Sequence, residues 1–218
     1  MIWNDEYLFL HYPKAAGKSL TSAFLKSWRT PVCAYISKGQ LAELTPFIKL
    51  GSTLWVHGAH QNLDEAATIL KRMDRDIEKF RAIFVSVRCP YDLVYSTYKF
   101  HRANAKGRLA PPQFSFAANR NFDEFASQAT FLPYRRWLSF GNKDLANLRV
   151  IRFEKMAKDF GRYAKEFGFK NVKIPHLNAT PGPNYLESLA PATEKVIFEK
   201  FKVLFENGYY SRLLMHQR

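Results

Sequence analysis

The chain has 218 residues, 47% of them hydrophobic and 16% aromatic, which is enough to bury a core and excludes a disordered segment. Lysine and arginine number 33 against 19 acidic residues, and this net charge of +14 favours an anionic partner such as a nucleotide, an acidic glycan, a nucleic acid or a membrane surface. The two cysteines, Cys33 and Cys89, lack the spacing of a disulfide framework or a zinc site, and no apolar run approaches the roughly 20 residues of a membrane span.

Residues 1–12, MIWNDEYLFLHY, contain two acidic residues and lack the basic start and long apolar core of a signal peptide. We therefore expect a cytoplasmic protein. Within this stretch YLFLHY is a short apolar run ended by Pro13, and it predicts a buried strand. The following segment SLTSAFLKSW spaces three large apolar residues four apart, which predicts a helix.

The middle of the chain predicts two further strands, each followed by a helix. STLWVHG (52–58) predicts a strand, and NLDEAATILKRMDRDIEKF (62–80) predicts one helix capped by Asn62, with acidic residues in its first turn. Its buried stripe is expected to consist of Ala67, Leu70, Met73, Ile77 and Phe80. AIFVSV (82–87) predicts a buried parallel strand, and Pro90 begins the next helix.

The remaining segments complete an alternation of strands and helices. Residues 103–119 lack periodicity and contain Gly and two prolines, so they predict a mobile loop. LRVIRF predicts a last strand, EKMAKDFGRYAKEFG a helix, PHLNATPGPNY a loop, and 191–208 a helix begun by Pro191 and ended near Gly208. The alternation predicts one α/β domain over 1–218, with three layers: a central parallel sheet and helices on both faces.

The segment HYPKAAGKSL (11–20) lies between a predicted strand and a predicted helix, where backbone N–H groups bind anions well. Gly17-Lys18-Ser19 has the G-K-S/T ending of a Walker A loop, but Tyr12 stands where that motif requires a glycine. Gly17 lets the chain approach a phosphate closely, and Ser19 can donate its hydroxyl. The loop therefore predicts a phosphate site without deciding which nucleotide occupies it.

The strand AIFVSV discriminates between nucleotides. A Walker A enzyme that hydrolyses ATP needs an acidic residue at the end of a neighbouring strand to hold Mg²⁺. This strand ends in Arg88 instead, and only Glu154 closely follows another strand. A cation in this position suits a second phosphate bound without metal. Two alternatives stay open: a P-loop kinase or NTPase using Mg-ATP, and a non-catalytic, basic nucleic-acid-binding module.

Both segments resemble motifs of a known family. FLHYPKAAGKSL is similar to the 5′-phosphosulfate loop of sulfotransferases, especially the carbohydrate-type family (family 2), whose loop begins H-x-P-K and ends in glycine, a hydroxyl residue, serine and an apolar residue. VSVRCPYDLVYSTYKF is similar to that family's 3′-phosphate motif, with Arg88, Pro90, Ser96 and Tyr98 at the matching positions. IRFEKMAKDF and HLNATPGPNY resemble later segments of the family, so the likeness covers most of the chain.

The chain departs from the family's pattern at three positions. Lys18 stands where the family usually has a small hydroxyl residue, Ala15 replaces the commoner Thr, and Leu93 replaces an arginine often found in the second motif. These positions concern the detail of the phosphate contacts rather than the class of protein.

The resemblance implies a P-loop NTPase-like sulfotransferase fold. It also implies transfer of a sulfuryl group from 3′-phosphoadenosine 5′-phosphosulfate (PAPS) to an acceptor hydroxyl or amine, in line and without metal. Lys14 would contact the bridging oxygen, and Arg88 with Ser96 would hold the 3′-phosphate. The residues implied at the 5′-phosphosulfate are Lys14, Ala15, Ala16, Gly17, Lys18, Ser19 and Leu20.

An acceptor hydroxyl must lose a proton, and imidazole has a suitable pKa near neutrality. WVHGAHQNLDEA places His57 and His60 at a strand end, on the edge where α/β proteins bind ligands. Carbohydrate-type sulfotransferases often carry their base just after a glycine here, so His60 is the first candidate and His57 the second. Either histidine is otherwise a structural residue. Asp64 or Glu65 would be next, and His11 is expected to pack beside the loop.

The acceptor is the least defined partner. The segments YKFHRANAKGR and FLPYRRWLSF combine aromatic and basic residues, which suit an acidic sugar through stacking and carboxylate pairing. They would suit a nucleic acid as well. We expect PAPS as the nucleotide, a glycan or another hydroxyl compound as the acceptor, and nucleic acid as the less favoured partner. The loop at 103–119 is a candidate to cover the acceptor cleft.

Overall fold

The computed structural model describes residues 1–56, 58–105, 111–170, 174 and 189–213. The chain divides into two compact units, of which the first combines Met1–Val87 with Arg135–Ala179 and the second combines Arg88–Tyr134 with Thr180–Arg218. Each unit is assembled from two separate stretches of chain. One domain over 1–218 therefore stays a prediction. No helix in the described ranges is long and apolar enough to cross a membrane.

The first unit contains a six-stranded sheet and a small hairpin. The sheet strands are β1 (Ile2–Trp3), β2 (Tyr7–His11), β3 (Cys33–Ile36), β4 (Thr53–Val56), β5 (Ala82–Val87) and β8 (Leu148–Arg152); the hairpin strands are β6 (Ser139–Phe140) and β7 (Lys143–Asp144). The order across the sheet is β4-β3-β1-β2-β5-β8. β2 pairs with β5, β5 with β8 and β3 with β4 in parallel, whereas β1 is antiparallel to both its neighbours. The sheet is therefore mixed rather than wholly parallel.

The helices are divided between the two units. Those of the first unit are α1 (Gly17–Ser27), α2 (Lys38–Leu44), α3 (Leu63–Lys71), α7 (Arg135–Leu138) and α8 (Met156–Phe167). Those of the second unit are α4 (Pro90–Ala103), α5 (Pro112–Ala118), α6 (Phe122–Gln128), α9 (Pro191–Lys200) and α10 (Lys202–Glu206).

The strand β1 was not expected from the sequence, and a tight turn explains its direction. The Asn4 side-chain oxygen accepts hydrogen bonds from the N–H groups of Glu6 at 2.9 Å and Tyr7 at 2.7 Å. Asparagine bonds of this kind stabilise a reversal of the chain. Because the reversal takes only a few residues, the chain returns beside itself, and β1 lies antiparallel to β2. A strand of two residues is too short to show a periodic pattern.

The core of the first unit is aromatic. The Phe24 ring on α1 lies 4.8 Å from Phe9 on β2, 4.9 Å from Phe84 on β5 and 5.0 Å from Phe160 on α8. These contacts place α1 and α8 on one face of the sheet. Leu8 and other alternate strand residues point to the opposite face and are also fully buried. The central strands are thus covered on both faces. Because the strands are packed in this way, their carboxyl ends have fixed positions.

The helix predicted over 62–80 is shorter than expected. α3 ends at Lys71, Asp74 adopts a left-handed φ of 54°, and the N–H of Arg75 turns back to the Leu70 carbonyl at 3.0 Å. Aspartate favours caps and turns over helix interiors, and it tolerates the left-handed region. A short 3₁₀ turn, Ile77–Lys79, follows. The predicted burial of Leu70, Ile77 and Phe80 is correct, but Ala66 rather than Ala67 faces the core.

Two other predicted segments differ from the structure. Part of the expected loop at 103–119 is the helix α5, while residues 106–110 lie outside the described ranges. The helix expected over 191–208 is interrupted at Phe201, so that α9 and α10 are separate, and Gly208 has the left-handed φ of 69° expected after a helix. The predicted loop PHLNATPGPNY lies outside the described residues.

Candidate active site

The phosphate loop predicted from the sequence leaves the sheet at the carboxyl edge of β2. β2 and β5 are parallel, with His11 opposite Ser86, so both strands end at the same edge. Ligands of open α/β sheets bind at this edge. The chain runs from His11 through residues 12–16 directly into α1. This strand-loop-helix arrangement is the one that the sequence predicts.

The loop backbone is held in a strained conformation. Lys14 and Ala16 have φ values of 63° and 60°, in the left-handed region, although neither is a glycine. Such residues cost on the order of 1–3 kcal/mol each, and they cluster at ligand sites. Ala15 between them is fully buried, and its N–H donates to the Tyr12 carbonyl at 3.2 Å. Left-handed residues in a turn bring successive N–H groups to one side, where they form a concave anion site.

The start of α1 favours an anion. The first helical bond runs from the Leu20 N–H to the Ala16 carbonyl at 3.0 Å, so the N–H groups of Gly17, Lys18 and Ser19 precede the helical ladder. Ala16 at the N-cap offers no side-chain acceptor, and the first turn contains no acidic residue. It carries Lys18, a cation at the positive end of the helix dipole. An anion at this end would be stabilised by both.

Two of the implied phosphate-binding residues are engaged elsewhere. The Ala15 N–H donates within the loop and the Leu20 N–H donates within the helix, and both side chains are fully buried. The other residues implied at the phosphate, Ala16, Gly17, Lys18 and Ser19, lie at the end of the loop and in the first turn of α1. Lys14 and Lys18 are half-buried, and Ser19 is buried.

A close contact explains the glycine of the loop. A β-carbon built on Gly17 would lie 2.1 Å from Cδ2 and 2.5 Å from Nε2 of His11. The His11 ring is only 4% exposed and cannot easily move away. Gly17 is therefore required by the packing of His11, in addition to any close approach of a phosphate. His11 lies in β2 beside the loop, as the sequence predicts.

His60, the first candidate for the base, lies against the same histidine. Its ring meets the His11 ring edge-on at a centroid distance of 4.6 Å, and its Nδ1 lies 3.4 Å from the His11 carbonyl oxygen. A carbonyl oxygen only accepts, so this long contact is a hydrogen bond when Nδ1 carries the proton. Nε2 is then unprotonated and can act as a base. Burial of part of the ring lowers the pKa of His60, which favours the neutral form.

The other base candidates include His57 and the carboxylate of Glu65. His57 lies outside the described residues. Glu65 belongs to a capping box, in which it accepts from the Asn62 N–H at 3.1 Å while Asn62 accepts from the N–H groups of Asp64 and Glu65. Glu65 also lies 3.8 Å from Arg136. Glu65 is therefore engaged at the start of α3 instead of being directed at an acceptor.

The second unit holds the residues predicted to bind a 3′-phosphate. Arg88 directly follows β5, and its Nη1 donates to Ser96 Oγ at 3.2 Å. The Arg88 N–H donates to the Tyr134 hydroxyl, also at 3.2 Å. Pro90 begins α4, and the buried Tyr98 hydroxyl donates to the Arg120 carbonyl. The structure thus joins Arg88 and Ser96 in one pair, and it gives Tyr98 a packing position.

Comparison with known protein families finds no family that matches this chain, and no curated protein matches it. Among solved structures the chain is similar to mouse sulfotransferase SULT7A1, determined as a complex with PAP. The two share 15% sequence identity with a TM-score of 0.51, over 94% of this chain and 85% of that chain. The chain has the sulfotransferase fold. The predicted α/β, P-loop-like fold class is therefore confirmed, with β1 as the antiparallel exception.

Within this sulfotransferase fold, two aromatic residues have roles that the sequence did not reveal. The composition of FLPYRRWLSF would suit an acidic sugar or a nucleic acid, but its Tyr134 and Trp137 are each only 1% exposed. Tyr134 accepts from Arg88, and the Trp137 ring packs edge-on against Tyr12 at 5.0 Å. Tyr12, at the position where a Walker A loop has glycine, is thus a packing residue. The sequence shows that these residues are aromatic. Only their burial in the structure shows that they support the fold instead of contacting a ligand.

Proposed function

We propose that this chain is a sulfotransferase that moves a sulfuryl group from PAPS to an acceptor hydroxyl, by in-line transfer without metal. The observation that carries the proposal is the Arg88–Ser96 pair directly after β5. A magnesium-dependent NTPase needs an acidic residue at such a strand end, whereas a 3′-phosphate needs donors. The sulfotransferase fold and the conformation of the phosphate loop support the same reaction.

In this proposal the phosphate loop holds the 5′-phosphosulfate. The N–H groups of 16–19 and the Ser19 hydroxyl bind its oxygens at the start of α1, and Lys18 adds positive charge. Lys14 contacts the oxygen that bridges sulfur and phosphorus. Negative charge develops on that oxygen as the bond to sulfur breaks, so a positioned cation stabilises the transition state more than the ground state.

The 3′-phosphate, which distinguishes PAPS from ATP, would be bound by Arg88 and Ser96. Guanidinium and hydroxyl groups are both donors, and the hydrogen bond between them holds the two side chains together. The Tyr134 hydroxyl fixes the backbone at the same point. Such preorganisation reduces the entropy lost on binding.

His60 is proposed as the base that removes the acceptor proton through Nε2, with His57 as the second candidate. The acceptor is proposed to be a glycan hydroxyl, on the strength of the resemblance of the loop to carbohydrate-type sulfotransferases and of the net charge of +14, which would attract an acidic chain. Cytoplasmic location stays a prediction.

Binding and transfer assays test this function. Calorimetry should detect binding of adenosine 3′,5′-bisphosphate (PAP) in EDTA, and radiolabelled PAPS should label one member of a panel of acidic and neutral glycans. Binding of Mg-ATP without binding of PAP would favour an NTPase. Salt-sensitive binding of an oligonucleotide alone would favour the nucleic-acid-binding module.

The substitution Lys14→Ala tests the mechanism. We expect kcat to fall far more than the affinity for PAP, because the bridging-oxygen contact is strongest in the transition state. Retention of kcat within tenfold, which is about 1.4 kcal/mol, would contradict the role of Lys14. Lys26→Ala is the matched control, because it removes the same charge from an exposed site at the other end of α1 and should leave both quantities unchanged.

A further inference from the structure

The His11 ring occupies space at the very start of α1. In a helix the bond from Cα to Cβ tilts toward the N-terminus, so the volume that a β-carbon on Gly17 would fill lies on the N-terminal side. The His11 atoms nearest to that volume are Cδ2 and Nε2, at 2.1 Å and 2.5 Å. The Nε2 edge of the ring therefore faces the helix end at which the loop would hold an anion.

His11 is a buried polar residue in an otherwise apolar strand. It follows Leu8, Phe9 and Leu10, and it is itself only 4% exposed. Its Nδ1 has no hydrogen-bond partner among the residues that the structure describes. Burying such a group without a partner costs roughly 1–3 kcal/mol, so the histidine needs a compensating interaction.

The opposite position on the neighbouring strand is also polar. Ser86 is the register partner of His11, is fully buried, and has an Oγ without a hydrogen-bond partner in the described part of the chain. Paired positions of neighbouring strands place their side chains on the same face. Neither of these two polar atoms is bonded to the other, so two unsatisfied polar groups lie on the same face of the sheet near the start of the loop.

The protonation state of His11 follows from its environment. Burial holds the pKa of His11 well below its usual value, so the ring is neutral at neutral pH. A neutral imidazole has one N–H donor and one acceptor nitrogen. When Nδ1 is the acceptor, Nε2 carries the hydrogen and presents a donor toward the phosphate loop.

We propose that His11 is a direct ligand of the anion held by the loop, donating from Nε2–H to an oxygen of the nucleotide's 5′-phosphate group. Donation from Nε2 leaves Nδ1 as the unprotonated nitrogen of the neutral ring. The identity of the nucleotide rests on the proposed function, whereas the anion contact of His11 does not. This contact gives the buried ring a polar partner on its Nε2 side.

Two substitutions separate the donor from the ring. His11→Phe keeps a planar ring against Gly17 but has no donor, and His11→Gln supplies an N–H near the position of Nε2 without a ring. Calorimetric titration with PAP should show affinity reduced about tenfold or more in His11→Phe, the order expected for a hydrogen bond to a charged acceptor. His11→Gln should stay closer to the wild type than His11→Phe.

Two controls make the result specific. Adenosine 3′-monophosphate lacks the 5′-phosphate, so its affinity should be the same in His11→Phe and the wild type. Ser27→Ala removes another buried polar atom that has no partner among the described residues, at the far end of α1, and should not change PAP binding. In the unsubstituted protein, ¹⁵N NMR should show the Nε2–H form and a change in the Nε2 signal when PAP binds.

Several outcomes decide the proposal. Equal PAP affinity in His11→Phe and the wild type would overturn it, as would equal losses for PAP and adenosine 3′-monophosphate, or an Nε2 signal indifferent to PAP. Inorganic phosphate is titrated in parallel. If phosphate binds but PAP does not, the proposed function fails, and the phosphate affinities of the two His11 variants still decide the role of His11. If neither ligand binds the wild type, both proposals fail.

Discussion

Arg88 donates from Nη1 to Ser96 Oγ at 3.2 Å, although eight positions separate the two residues in the sequence. The helix α4 makes this possible, because it begins at Pro90 and places Ser96 within reach of the long Arg88 side chain. The pair is therefore a local product of one strand-to-helix junction. The first prediction tests the proposed contact of this pair with the 3′-phosphate.

Arg88→Ala should weaken PAP binding by about 1.5–3 kcal/mol, the usual worth of a hydrogen bond to a charged group. Ser96→Ala should weaken it less, because the guanidinium remains. Neither substitution should change affinity for adenosine 5′-monophosphate, which lacks the 3′-phosphate. Calorimetry with the two ligands checks this. Equal losses for both would show that Arg88 acts through the structure rather than on the 3′-phosphate.

Gly17→Ala should destabilise the protein and weaken PAP binding. The new methyl group would collide with the buried His11 ring, and overpacking of this kind costs roughly 1–3 kcal/mol. Gly161→Ala is the matched control, since a β-carbon there meets no atom within 4 Å among the described residues. Because alanine is the better helix former, we expect that control to stabilise α8 by about 0.5–1 kcal/mol. Urea unfolding of the two variants measures the difference, and similar stabilities would contradict the steric explanation.

His60→Ala should lower kcat by roughly 10²–10⁴-fold while PAP binding stays close to that of the wild type. The base must be neutral, so activity is lost as pH falls through its pKa. Burial lowers that pKa, and the contact with the His11 carbonyl offsets this only in part. The acid limb of kcat/KM should therefore have its midpoint below about 6.5, the usual value for histidine.

The pH profile of the variant provides the check. His60→Ala should lose the acid limb as well as the rate. If His57→Ala has the large loss of kcat and His60→Ala stays active, His57 rather than His60 is the base. If neither histidine matters, the proton goes to another group, and Asp64 becomes the next candidate because Glu65 is engaged in the capping box.

An ion pair between the buried Glu194 and the exposed Arg212 should control the acid stability of the second unit. The Glu194 carboxylate is only 2% exposed, and it accepts from Arg212 Nη2 at 2.8 Å and from the Tyr91 hydroxyl at 2.6 Å. Burial raises the pKa of Glu194, but these hydrogen bonds outweigh it and the pKa is lowered overall. The stabilisation is therefore complete above the unfolded value of about 4.3 and is lost as pH falls through the lower folded value.

Glu194→Gln should reduce the free energy of unfolding at pH 7 by about 1–3 kcal/mol, because Arg212 then loses its charged acceptor. The difference from the wild type should shrink as pH falls below about 4.3. Glu199→Gln changes an exposed carboxylate on the same helix and should have little effect. A difference between Glu194→Gln and the wild type that stays constant with pH would exclude ionisation of Glu194 as the cause.

Features encoded within about twenty neighbouring residues were predictable. The strands β2 and β5 are buried apolar runs with clear ends, β8 falls within the predicted strand LRVIRF, and α4 begins at its proline as expected. The phosphate loop and the spacing of Arg88 and Ser96 are likewise local, because a strand end and the first turns of the following helix position every group involved. Features of this kind can be predicted from a single sequence because local backbone geometry determines them, whereas packing against distant segments does not.

Features that depend on distant contacts appeared only in the folded chain. The antiparallel β1 is too short to carry a pattern, and the break at Asp74 interrupts a sequence that is periodic enough for one helix. The same limit applies to His11, which is an ordinary strand residue by sequence. Its ring meets Gly17 and His60 because the fold brings a strand end, a helix start and a later loop together. Such contacts depend on side-chain packing between segments that are far apart in the chain. The periodicity of the sequence therefore does not predict them.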